Sequence, residues 1–220
     1  MMKHNSTKPS AESTGDRRTA LGALLAVGVA AGSYGTAQAK TAPAPVDTRV
    51  DQLMSRWQIE EVLFAYARGN DRNDPDMVRN CFWPESTHKH GRFEGLSYDF
   101  VGYAAKIIAT LKHAAHFITN VSIQVDGDRA FSECYYLAHH RRDAKDGSGE
   151  EDAFMEGRYL DLFERRDGVW KIIRRRGLSD LTAAPIPAPS PYADWPAGMH
   201  SGRDKDDDYY KMLEAFRAGK

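Results

Sequence analysis

Hydrophobic spacing changes period once along this chain, and that change decides its fold class. From Asp47 to about Gly69, apolar residues recur at Val50, Leu53, Met54, Trp57, Val62, Leu63 and Tyr66, mostly three or four apart, as on an amphipathic helix. Asp74-Pro75 opens a second, short helix, with the acid as cap and the proline at the first helical position. Residues 86–93 read as a short strand, and residues 97–112 as a third helix capped by Ser97. Beyond residue 114 the period falls to two. Residues 115–125, 129–142, 151–166 and 169–178 read as four strands. Asp126-Gly127 and Asp167-Gly168 are tight hairpin signals, and the polar stretch 143–149 is a longer loop. Helices first and a meander afterwards imply an α+β fold, three helices packed on one face of a curved, mostly antiparallel sheet.

The two ends of the chain have a different character. Lys3, Lys8, Arg17 and Arg18 precede an apolar stretch at 20–31, and Ala37-Gln38-Ala39 offers a small-x-small cleavage pattern. Residues 1–39 therefore read as an export signal, twin-arginine-like at Arg17-Arg18, and the expected destination is the bacterial periplasm. The stretch is too short and weakly apolar to give a stable membrane span. Residues 40–46 read as a linker and 47–182 as the folded domain. The tail, 183–220, is rich in proline and then in aromatic residues, ending in a short helix, and is expected to fold back over the body or a neighbouring subunit.

Thirty Lys+Arg against 31 Asp+Glu leave a net charge of -1, so nucleic acid is not an expected partner. No GxGxxG, P-loop, GxSxG, HExxH or CxxC motif occurs, which removes support for nucleotide-dependent or hydrolase chemistry. The two cysteines, Cys81 and Cys134, read as separately buried thiols. His88 and His90 share a strand face and His113 precedes His116 by one helical step. No acid or cysteine completes a ligand set, so surface histidines and no metal are expected. Strict alternation from His116 places Ile118, Asn120 and Ser122 on its face, a semi-polar mixture suited to lining a cavity. Asp71 sits at the exit of the first helix, where the helix dipole disfavours an acid. On helix logic alone it is a solvated loop residue.

Three stretches carry a family resemblance. They are the helix ending Tyr66-x-x-x-x-Asp71-x-x-Asp74, the strand His116-Phe117-Ile118-Thr119-Asn120, and the closing Glu164-Arg165-Arg166-Asp167-Gly168-Val169-Trp170-Lys171-Ile172. With them the chain from about Val46 to Leu178 resembles the SnoaL-like branch of the nuclear-transport-factor-2-like superfamily. The resemblance implies a cone-shaped α+β barrel, catalysis without metal or organic cofactor, a hydrophobic small-molecule substrate, and a homo-oligomer, trimer or dimer. It puts the family's catalytic Asp on Asp71 and its catalytic His on His116. Tyr66 stands where bile-acid-dehydrating members carry a tyrosine. A substrate-binding Arg falls on Arg175 within the run Arg174-Arg175-Arg176, with the register open by one. A second pocket histidine falls on His140 or His139, only one of which can face inward. Asn120 and Tyr159 complete the candidate substrate contacts. The implied activity is a lyase: a His–Asp pair removes a proton and water, or formaldehyde, leaves a bulky aromatic or polycyclic alcohol. Carbon–carbon cleavage of lignin-derived diaryl compounds, isomerisation, and non-catalytic small-molecule binding are the alternatives.

Overall fold

Residues 46–196 and 199–220 are described by the structure, a computed structural model; the expected export signal and nearly all of the expected linker lie outside them. Helix α1 spans Val46–Asp71 and buries a stripe at Ser55, Ile59, Leu63, Tyr66 and Asn70. Its first turns behave differently: Val50, Leu53, Met54 and Trp57 keep the helical spacing but face outward, about half exposed or more. Helix α2, Pro75–Asn80, begins as expected, with the Asp74 carboxylate accepting from the Met77 N–H at 3.1 Å. Helix α3, Ser97–Ile108, starts without a side-chain cap, so Ser97 does not serve as one, and it ends four residues early. Lys112 has already joined the sheet, its N–H donating to the Arg141 carbonyl.

The strands are β1 Phe82–His90, β2 Phe93–Leu96, β3 His113–Asp126, β4 Arg129–Asp143, β5 Glu150–Arg166, β6 Val169–Thr182 and β7 Ile186–Pro187. They form one sheet in the order β2-β1-β6-β5-β4-β3, with β7 pairing the far end of β5. Both Asp-Gly hairpins form where the spacing predicts them. The single short strand expected at 86–93 is instead a hairpin, and β1 lies parallel to β6, the one parallel pair in the sheet. In the proline-rich tail, Ile186-Pro187 adds a two-residue strand, at the kind of edge position that tolerates proline. A last helix, α4 Asp208–Arg217, closes the chain.

Among the register irregularities of the sheet, two bear on which candidate residues face the core. In β3 the pairing shifts between Thr119 and Ser122, with Asn120 in the left-handed region at φ 49°. In β6 it shifts beside Ile173. Each extra residue moves the following side chains to the other face. The core lies between the helices and the inner sheet face, built on Ile59, Leu63, Phe82, Cys134, Phe163 and Ile172. Both cysteines are buried and unpaired, as expected.

Strand β5 also passes very close to β6 at Gly157. A Cβ there would lie 1.9 Å from the Leu178 carbonyl oxygen, a backbone atom that cannot step aside. Gly157→Ala is expected to destabilise the fold by roughly 1–3 kcal/mol, as overpacked sites do, with the loss read from urea unfolding midpoints.

Candidate active site

Between α1, α3 and the inner sheet face lies a cavity of about 220 Å³. Its apolar wall comes largely from α3, through Phe100, Tyr103, Ala104, Ile107 and Ile108, with Ala138 and Met155 from the sheet. Its polar groups come from every side: Tyr66 and Asn70 on α1, His90 on β1, His116 on β3, Tyr136 and His140 on β4, Tyr159 on β5 and Ser179 on β6. A larger hollow of about 730 Å³ lies elsewhere, lined by Glu85, Arg129, Glu164 and Arg174 among others, but it gathers no histidine or tyrosine. The chemistry concentrates in the smaller one.

His116 Nδ1 stands 2.7 Å from Asp71 Oδ1, although 45 residues separate the two. Both side chains are largely buried, 10% and 22% exposed. An ionised carboxylate only accepts, so this contact assigns the proton to Nδ1 and leaves Nε2 as the acceptor. The His140 ring lies beside it, centroids 5.3 Å apart. Tyr66 meets Tyr159 edge-on at 5.6 Å, and Tyr159 stacks on Tyr136 at 4.6 Å. Burial, opposed in part by the Arg175 guanidinium, raises the Tyr66 phenol above its ordinary pKa, and Tyr159 is raised further. Both stay protonated donors.

Of the residues singled out from the sequence, Tyr66, His116, His140 and Tyr159 line the cavity, and Asp71 stands behind His116. Arg175 does not contact the cavity. The bulge at Ile173 turns it inward, but its Nε and Nη2 each donate to Asp161 at 2.7 Å, and its guanidinium lies between the Tyr66 and Tyr159 rings. It lies behind Tyr66 and Tyr159, which line the cavity, and is not itself among the lining residues. Asn120 is exposed at the bulge in β3, which breaks the alternation that would have aimed it inward. His139 takes the outer sheet face, bonded through Nε2 to Asp152, which also holds Arg141. His140 is the inward one.

His88 and His90 were expected at the surface; His88 is buried against α3, and His90 is half-buried beside the same helix. His88 is 1% exposed and stacks on Phe100 at 3.7 Å. The His-x-His alternation did place both on one face, but a short polar strand carried no sign that a helix covers it. Asn70 and Ser179 are polar lining residues that nothing in the sequence singled out. Among the described residues no three His, Cys, Asp or Glu side chains are disposed to hold a metal ion, and no helix is long and apolar enough to cross a membrane.

Residues 51–176 match the profile of the SnoaL-like domain. The chain belongs to that family. Its fold is the nuclear-transport-factor-2-like cone. A provisionally named scytalone dehydratase from Novosphingobium aromaticivorans superposes with a TM-score of 0.55 at 24% identity, covering 68% of this chain and 99% of its own. A type 3 hexachlorocyclohexane dehydrochlorinase from Novosphingobium barchaimii gives 0.55 at 19% identity, covering 69% and 97%. An uncharacterized protein of Mycobacterium tuberculosis is 25% identical over 131 residues, 57% of this chain and 86% of its own length. The SnoaL-like match ends at residue 176, so the tail lies outside it.

Burial holds three rings of this SnoaL-like domain neutral, bringing His88, His140 and His90 from 6.5 down to about 2, about 3 and about 4. Below about pH 6.5 the unfolded chain takes up protons that the folded one refuses, so stability present at neutral pH is lost as pH falls. Unfolding free energy from urea titration is expected to drop between pH 7 and 5, each ring contributing up to about 1.4 kcal/mol per pH unit. His88→Phe is expected to flatten the slope by one ring's share.

Proposed function

We propose that this protein is a lyase that removes a proton and a leaving group from a compact, uncharged, ring-containing alcohol, using its own side chains. The observation that carries the reading is the 2.7 Å His116–Asp71 contact, with His116 on the wall of a cavity whose other polar groups are neutral rings, hydroxyls and an amide against the apolar face of α3. In the proposed step His116 Nε2 takes a proton from substrate carbon, and Asp71 stabilises the imidazolium that forms. The electron pair becomes the new carbon–carbon double bond. The departing hydroxyl leaves as water, with its proton donated by the Tyr66 phenol or by the neutral His140 ring beside His116. Both are placed to steady the oxyanion character that develops.

The lining also supports a substrate class. Asp71 is engaged by His116 and Arg175 by Asp161, so no unpaired charge faces the cavity, which disfavours carboxylates and phosphates. A volume near 220 Å³ lies below the roughly 300 Å³ at which drug-sized pockets begin, which favours one or two rings over a steroid-sized skeleton. Names among the structural relatives include a dehydratase and a dehydrochlorinase, both eliminating enzymes, in keeping with this reading. We further propose that the enzyme acts after export. We also propose self-association through the outer sheet face, where Phe117, Phe131, Tyr135 and Leu137 remain exposed.

The test is turnover of aromatic alcohols followed by mass spectrometry. A product lighter by water is expected; loss of formaldehyde would move the reaction to carbon–carbon cleavage, and an unchanged mass to isomerisation. His116→Ala and Asp71→Asn are each expected to lower turnover by roughly 10²–10⁴-fold, with circular dichroism unchanged. Near-normal turnover in both variants, or ligand binding that survives His116→Ala with no product from any alcohol, would reject the assignment.

A further inference from the structure

The tail beyond the matched domain returns to the elbow between α1 and α2, where Asp71 sits. Helix α1 ends at Asp71 and α3 at Ile108. The last carbonyls of a helix lack partners within it and carry the negative end of its dipole. Here the two negative ends meet around one side chain. Arg203 Nε donates to the Asp71 carbonyl at 3.4 Å, Nη2 to the Ile108 carbonyl at 2.9 Å, and Nη1 to the Leu111 carbonyl. A planar guanidinium with five donors can span three acceptors at once; an ammonium presents its donors from a single point.

Other tail residues fasten the same elbow. Lys205 pairs with the Asp74 carboxylate, which also accepts from the Tyr210 hydroxyl at 2.8 Å. Asp207 lies 3.5 Å from Arg72 Nε, and the Arg72 guanidinium rests 4.5 Å over the Tyr209 ring. Residues 71, 72 and 74 are therefore each held by the tail. Arg203 is not part of the cavity wall, whereas the two elements it joins are: Asp71 aims His116, and Ile108 belongs to the apolar wall.

We propose that Arg203 is a positioning residue, tying the end of α1 to the end of α3 so that the Asp71 carboxylate is held in register with His116. The inference rests on reading that pair as the proton-transfer centre. An acid at a helix C-terminus is disfavoured by the dipole, and a cation bridging two such termini offsets that disfavour while fixing the backbone that carries the acid. Without the guanidinium, three carbonyls turn to water and the elbow opens more often.

The readout is the His116 Nδ1 proton in full-length ¹⁵N-labelled protein, where a bond to a carboxylate gives a far-downfield signal that exchanges slowly with water. Asp71→Asn identifies the signal by removing it. Arg203→Met is expected to speed its exchange by about tenfold or more, the effect of losing charge-assisted bonds, with circular dichroism near wild type and the unfolding midpoint lowered but still well above the conditions of the measurement. Arg203→Lys is expected to restore part of the protection. If the methionine variant fails to fold, the lysine variant carries the test, with a smaller acceleration expected. Unchanged exchange in a folded variant overturns the positioning role and leaves the His116–Asp71 reading intact. Absence of the signal in wild-type protein overturns that reading itself, and the role of Arg203 with it.

Discussion

Arg175 and Asp161 face each other across β6 and β5 with both side chains entirely out of water. Withdrawing two ions from solvent costs several kcal/mol each, and only near-ideal geometry offsets it. Here two parallel 2.7 Å bonds supply that geometry. Tyr66 and Tyr159 close over the guanidinium, their ring centroids 4.1 and 4.3 Å from its carbon. The cation therefore fixes two phenols from different elements, and those phenols are the base of the cavity. A buried charge that looks available for substrate is instead paired with Asp161.

Above this base the polar wall is almost entirely neutral. Burial keeps His90 and His140 unprotonated, and the tyrosines remain phenols. Charge enters at one point, through Asp71 behind His116. In a low-dielectric hollow a lone carboxylate is expensive, so its position beside an imidazole that can become cationic matters more than its exposure would suggest. The surrounding rings can orient a hydroxyl or carbonyl without competing for the proton.

Much of this architecture was legible in the spacing of apolar residues. The helix α1 itself, the Asp74-Pro75 start and both Asp-Gly hairpins rest on local chemistry and appear where local chemistry puts them, although the first half of the expected α1 stripe faces outward. What spacing missed shares one physical cause, because burial and strand phase depend on distant partners. A single extra residue at Asn120 or Ile173 reverses the facing of everything after it, and no two-residue period announces such an insertion. His88 and His90 looked like surface histidines because α3, which covers them, follows them in the chain. Asp71 looked like a solvated acid by helix logic; family resemblance singled it out, and the fold brings it to His116 by carrying β3 past the end of α1. The route of the tail to that same point had no local signal beyond its aromatic content.

The parallel pairing of β1 with β6 has a bearing on how such a chain matures. His88 and His90 sit opposite Arg175 and Gly177, residues from opposite ends of the domain. Every other neighbouring pair in the sheet except the short β7 contact and the β5–β4 loop is closed by a turn of two or a few residues, whereas this seam must wait for nearly the whole domain to be synthesised. The hollow has no complete boundary until then. A nascent or truncated chain would carry the imidazoles of β1 on an open surface, so the same sequence that yields a dry chamber when finished is a wet, unenclosed sheet until its last long strand arrives.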